Sequence, residues 1–242
     1  MSFISKSKIS TRRGLLMVAG LVAGSFLLTG CLDDVETPEL PPAAYVSIFQ
    51  GATDAPAMDV FANQNKVNQQ PLQYTQTLPY SAYHPGTRGF RFSASNSATS
   101  LLEKDLVLKA DSVYSIFVAP AGAGIDAVLV KDVWKDPTAE KAQIRLVHLS
   151  SDAGKVLLEA SGSTTPLVSE SNFKAVSNFS ELNSGNYTLK IKSVDGGETL
   201  IQSGTLELKG NRVYTLILRG LKEETTGTKK LDLQLITNYI NY

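Results

Sequence analysis

Apolar and polar positions in this chain fall into short runs separated by turn residues. Tyr187 to Ile191 alternates between the two, as does Thr205 to Leu208. A two-residue period of this kind marks strands with one buried face. Val113 to Val118 and Val213 to Leu218 are closer to continuous apolar runs, which suits strands in the middle of a sheet. Asp54-Ala55-Pro56, Pro85-Gly86, Asn183-Ser184-Gly185, Asp195-Gly196-Gly197 and Lys209-Gly210-Asn211 break the runs at short intervals.

The pattern also repeats. Ala44 to Phe49 returns as Ala142 to Val147, and Asp54-Ala55 as Asp152-Ala153, both 98 positions on. Tyr74, Tyr80 and Tyr83 fall on Phe173, Phe179 and Leu182, and Gly86 on Gly185, at an offset of 99. Leu106 to Leu108 and Val113 to Val118 recur at an offset of 100. A period this long means two domains, because solenoid repeats run to about 20–50 residues. The turn spacing predicts about seven strands per copy. The expected fold is therefore all-β: two tandem immunoglobulin-like sandwiches over residues 44–134 and 141–242. Their last strands are expected at Ile125 to Trp134 and Lys229 to Thr237. The joint, Asp136 to Glu140, is short, so the two domains should touch.

Ahead of the repeats lies a different kind of segment. Residues 1–30 carry Lys6, Lys8, Arg12 and Arg13 and no acid, and Leu15 to Leu28 is apolar apart from small residues. A basic head, a short apolar stretch and small residues at its end make a secretory signal. The stretch is shorter than the ~20 residues of a membrane span. It ends in Leu28-Thr29-Gly30-Cys31, which contains the only cysteine and resembles the bacterial lipoprotein signal. The resemblance implies cleavage between Gly30 and Cys31, a diacylglycerol on the Cys31 thiol, and acylation of the new amino terminus. In lipoproteins of Gram-negative bacteria an Asp after the cysteine tends to retain the protein in the inner membrane. Leu32 at that place implies the outer membrane, facing the periplasm or the surface. Thr11 to Leu16 partly resembles a twin-arginine signal, but the general secretory route is favoured. Residues 32–43 are acidic and proline-rich and read as an extended tether.

Charge narrows the field. The whole chain carries 23 basic and 23 acidic residues. Without residues 1–30 it would carry 19 basic residues against 23 acidic ones, a net charge of −4. Four of those acids, Asp33, Asp34, Glu36 and Glu39, lie in the tether. Nucleic acid as a partner is not expected, since that needs clustered Lys and Arg. With Cys31 lipidated no disulfide is possible, and stability rests on apolar burial.

One further resemblance rests on a turn motif. Gln50 to Val60 reads Q-G-A-T-D-A-P-A-M-D-V, and His148 to Gly154 reads H-L-S-S-D-A-G. The first stretch is similar to the bacterial domain-of-unknown-function family DUF4397, whose repeats typically read H-A-S-P-D-A-P-x-V-D-V. The first copy keeps D-A-P-x-x-D-V and lacks the His. The second keeps the His and the Asp and loses the Pro and the second Asp. The resemblance covers nearly all of residues 44–242, more loosely in the second copy. It implies a secreted or surface β-domain, often in tandem, and no known activity.

Candidate chemistry is sparse. Asp54 and Asp152 could offer loop-tip carboxylates to a metal or a sugar hydroxyl. The favoured reading is a turn in which each carboxylate bonds the backbone N–H two residues on, because no second acid accompanies Asp152. His84 and His148, the only histidines, lie at non-equivalent places, and zinc needs three or four converging ligands. No nucleophile elbow or phosphate-binding glycine loop is present. The expectation is no catalytic residue, no metal and no cofactor. Tyr74, Tyr80 and Tyr83 could form a sugar-stacking platform, but their apolar counterparts point to core positions. Trp134, just before the joint, either packs between the domains or anchors a partner. The expected function is a non-catalytic envelope lipoprotein for binding, adhesion or assembly, its partners the bilayer through Cys31 and an envelope protein or glycan. The alternative is a glycan-binding accessory module of a polysaccharide system.

Overall fold

The computed structural model describes residues 41–240, and the expected secretory signal, Cys31 and most of the expected tether lie outside them. The described residues form sixteen strands and no helix. The first eight are β1 (Ala44–Gln50), β2 (Met58–Ala62), β3 (Asn65–Lys66), β4 (Thr77–Tyr83), β5 (Gly86–Ala94), β6 (Ser100–Leu108), β7 (Ser112–Ala121) and β8 (Gly124–Lys131). The second eight are β9 (Lys141–His148), β10 (Val156–Ala160), β11 (Val168–Ser171), β12 (Ser180–Asn183), β13 (Gly185–Ser193), β14 (Thr199–Leu208), β15 (Arg212–Arg219) and β16 (Asp232–Ile240). They make four sheets of identical plan, ordered 4-1-7-8 and 3-2-5-6, then 12-9-15-16 and 11-10-13-14.

The two-sandwich expectation holds, with eight strands per copy rather than about seven. The strand allocation is not the ABED and CFG division of an immunoglobulin constant domain. Here the first strand lies parallel to the seventh and antiparallel to the fourth, and the second copy repeats this. The last strands also shift. β8 stops at Lys131, three residues early, and β16 starts at Asp232 after a long loop from Gly220.

Alternation along each strand decides what faces what. In the first sandwich Val46, Ile48, Ile116 and Val118 meet Met58, Val60, Phe90 and Phe92 across the core. In the second, Ile144, Leu146, Leu216 and Leu218 meet Val156, Leu158, Leu189 and Ile191. The opposite faces of β1, β7, β9 and β15 carry a third cluster: Phe49, Phe117 and Ala119 against Val147, Leu149 and Ile217. The two central sheets therefore pack outer face to outer face, and the described strands form a stack of four layers. Apart from Tyr45 at the start of β1, both faces of these four strands are largely buried, which is why they read as nearly unbroken apolar runs. β6 and β14, with one face in water, alternate.

Both copies also close in the same way. The hairpins into β7 and β15 turn through Asp111 (φ 54°) and Asn211 (φ 57°), residue types that tolerate a left-handed backbone. The buried Tyr114 and Tyr214 hydroxyls accept from the N–H of Lys109 and Lys209 at 3.1 and 3.0 Å.

Candidate functional site

Asp54 and Asp152 sit in the loops that leave β1 and β9. Ahead of them, Gln50 and His148 end the two strands at equivalent places, and both are fully buried. Gln50 Oε1 accepts from Ala52 N at 2.7 Å, and its Nε2 donates to Ala52 O. His148 Nδ1 accepts from Ser150 N at 3.3 Å, while Nε2 lies 2.9 Å from Gly154 O, a carbonyl that takes the ring proton. The histidine absent from the first copy is thus replaced by a glutamine with the same task of clamping the loop to its strand. Both ring nitrogens of His148 are occupied.

Burial disfavours the charged imidazole and lowers the pKa of His148 below about 6.5, outweighing its bond to Gly154. With the folded value below the unfolded one, the unfolded chain binds the proton more readily. Stability is complete above the ordinary histidine range and is lost as pH falls through the folded value. His148→Gln, which copies Gln50, should flatten the fall in Tm between pH 7.5 and pH 5. An unchanged slope in the variant would assign the fall to the carboxylates.

The two aspartates do not make the expected turn bonds. Asp152 accepts from Lys222 N at 2.8 Å, Glu223 N at 3.0 Å and Ser150 Oγ at 3.0 Å. It therefore fastens the loop between β15 and β16. Burial opposes its charge, but these donors prevail and lower its pKa. Asp54 is exposed, accepts from Thr53 Oγ1 at 3.1 Å and pairs with Lys229 Nζ at 2.6 Å. That lysine belongs to the second sandwich, so the pair spans the seam. Asp59, the second acid of the motif, pairs with Lys66 and accepts from Asn96 N. Each member of the motif ties backbone to backbone or sandwich to sandwich. Among the described residues no three His, Cys, Asp or Glu side chains converge as a metal site would require. Beside the Asp54 loop a cavity of about 330 Å³ is walled mostly by small residues, including Ala52, Ala55, Pro56 and Ala123.

The densest polar cluster lies at the seam and was not anticipated from the sequence. Arg145 and Asp132 have side-chain exposures of 1% and 0% and pair at 2.6 Å. Arg145 Nε donates to Thr215 Oγ1 at 2.9 Å, and a terminal nitrogen donates to Ser115 Oγ at 3.1 Å. Asp132 Oδ2 accepts from Tyr80 OH at 2.6 Å and from Ser115 Oγ at 2.7 Å. Asn238 closes the circuit, accepting from Thr215 Oγ1 and donating to Tyr80 OH. Burial first, then the adjacent carboxylate, pushes the Tyr80 phenol well above its ordinary pKa. The guanidinium lies 4.6 Å from the Phe179 ring and 5.4 Å from that of Phe117. A desolvated cation gains from both faces. Asp132 follows the last residue of β8 and donates its N–H to Val113 O at 2.8 Å.

The aromatic candidates divide along the same seam. Tyr83 packs on Phe90 of the first core, as its counterpart Leu182 packs in the second. Tyr80 turns its hydroxyl into the buried circuit, and Phe179 stacks over Arg145. Tyr74 lies beneath Arg219 of the second sandwich, 5.6 Å from its guanidinium. Phe173 joins the third apolar cluster. Inward positions were expected for all three tyrosines, but two of them face the other sandwich rather than their own core. Trp134 packs between the copies. It stacks on Tyr239 at 5.6 Å and meets Phe179 edge-on at 6.0 Å.

No curated protein matches the chain. A family model does match, from the first residue of β1 to the fourth residue of β10, taking in the whole first sandwich, the loop held by Asp54 and the loop clamped by His148. Residues 44–159 match the model of the family described as Domain of unknown function (DUF4397).

Proposed function

We propose that the chain is a non-catalytic cell-envelope lipoprotein, held at the outer membrane through Cys31, whose paired sandwiches act as one rigid binding or assembly module. The observation that carries this reading is the apolar segment ending in Leu28-Thr29-Gly30-Cys31. Leu32, with no acid at that place, favours the outer membrane. The described fold adds support for the module. His148, Asp152, Asp132 and Arg145, the polar groups best suited to chemistry, are engaged in holding loops and sandwiches together. Three acyl chains on Cys31 anchor firmly where one binds only marginally, because each buried CH₂ contributes about 0.8 kcal/mol.

The test is the mass of the mature N-terminal peptide together with density-gradient fractionation of wild type and Cys31→Ser. Wild type should carry the lipid mass on Cys31 and sediment with the outer membrane. The variant should remain an uncleaved precursor or leave the membrane as soluble protein. An unmodified, uncleaved Cys31, or wild-type protein free in the periplasm, would end the reading.

A further inference from the structure

The chain enters β1 at Ala44, so the segment from Cys31 joins the stack at one particular end. Register identifies that end. Ala44 pairs with Ser112 and Tyr83, Gly86 with Leu108, Tyr114 with Lys131, and Val213 with Tyr239. The loops bearing Asp54 and Asp152 leave from the opposite end.

The entry end is where the exposed apolar surface gathers. Among the described residues five large hydrophobic side chains are exposed, and four belong to this end: Tyr45 at 45%, Val107 at 62%, Val133 at 69% and Tyr239 at 41%. Three of these run together across the seam. Tyr45 neighbours Val113 in the ladder, Asp132 N donates to Val113 O, Val133 follows, and Trp134 stacks on Tyr239. Lys109 and Lys131 are exposed around them, while Lys135 and Lys209 are exposed but pair with Glu181 and Glu207. Half-wet Trp and Tyr rings with neighbouring Lys are the composition favoured at a membrane–water interface.

We infer that this end of the stack docks on the bilayer, with Tyr45, Val133, Trp134 and Tyr239 at head-group depth and Lys109 and Lys131 facing anionic lipid. The inference rests on the lipoprotein reading for its anchor. Twelve residues separate Cys31 from Ala44, a reach of about 40 Å at ~3.3 Å per residue. The tether therefore keeps the patch at high local concentration near lipid, where weak contacts suffice. Attraction of Lys109 and Lys131 to an anionic surface adds to the apolar contact. The Asp54 and Asp152 loops then point away from the membrane.

Two singular residues make the test direct. Cys31 is the only thiol and Trp134 the only tryptophan. The chain from Cys31 onward, which holds every described strand, is coupled through that thiol to a maleimide-headgroup lipid. The vesicles contain phosphatidylethanolamine and phosphatidylglycerol, with or without bromine high on the acyl chains. Docking should cost Trp134 more than half its emission in brominated vesicles. Tyr45→Asp combined with Val133→Asp, both exposed and compatible with an unchanged Tm, should restore the emission. Lys109→Glu combined with Lys131→Glu should weaken quenching as a second, independent pair. Equal emission in brominated and plain vesicles would overturn the inference. So would a Trp134 shift without vesicles on changing the four tether acids to Ser, which would make the tether the occupant, or a dimer that hides the patch. Because this anchor is chemical, failure of the lipoprotein reading appears separately, as an unmodified Cys31 in cells.

Discussion

Asp132→Ala should destabilise the protein by about 3–5 kcal/mol, because it leaves the Arg145 guanidinium buried without its counter-charge. At roughly 2–4 °C per kcal/mol for a chain of this size, Tm falls by on the order of 10 °C. The loss exceeds what the ion pair contributes. Desolvating two charges offsets most of their attraction, and the large cost arises only when one is stranded. Replacing both, with Asp132→Leu and Arg145→Met, should therefore recover most of the stability. Denaturant unfolding of Asp132→Leu, Arg145→Met and the double gives the coupling energy. Asp132→Ala within about 0.5 kcal/mol of wild type would be the effect of an ordinary surface substitution and would contradict the buried pair. A double variant as unstable as the sum of the singles would contradict the desolvation argument.

The halves of this pair show what a repeat can and cannot reveal. Ser115 and Thr215 are equivalent, as are Tyr80 and Phe179. Asp132 and Asn238 each follow the ladder partner of an equivalent tyrosine, Lys131 for Tyr114 and Thr237 for Tyr214. Arg145 occupies the place of Ser47. The two copies have diverged in complementary directions, an acid in one and a base in the other. Two first halves set face to face would bring two aspartates together with no cation. The strands, their alternation and the copy number were legible because they are local properties of the chain. The seam was not, because it joins residues that only the fold makes neighbours. Its signal was present all the same: four apolar runs too continuous for strands with a wet face, and Arg145 embedded in one of them. A charge in an apolar run requires a buried partner.

Gly210 makes the same point on the backbone. Its counterpart is Ala110, and nothing local distinguishes the two hairpins. A Cβ at Gly210 would lie 1.7 Å from Ala139 O in the joint, however, whereas Ala110 is exposed. Asn211 N donates to Thr138 O, just as Asp111 N donates to Ala43 O. Both hairpins hold the segment that leads into the first strand of their sandwich, but only the second holds it this closely. The turn roles read for Asp54 and Asp152 fell short for a related reason: their partners lie 175 and about 70 residues away.

Phe117→Ala should cost about 3–5 kcal/mol, although Phe117 belongs to neither sandwich's own core. It is 3% exposed in the cluster between the central sheets, 6.5 Å from the ring of Phe49 and beneath Arg145. The seam is tight at this point, since a Cβ on Gly51 would stand 2.4 Å from Leu149 Cδ1. Separating the sandwiches would expose Phe49, Phe117, Val147, Leu149 and Ile217 to water, each worth about 1.5–3 kcal/mol of burial. Neither half can then unfold without stripping the other of a buried face. Calorimetry of wild type should show one transition, with equal calorimetric and van't Hoff enthalpies. In Phe117→Ala the coupling weakens, so the transition should broaden or divide while the van't Hoff enthalpy falls below the calorimetric one. Two well-separated transitions in wild type, or a Phe117→Ala variant that melts as one sharp unit within about 1 kcal/mol of wild type, would show the sandwiches to be independent beads rather than one body.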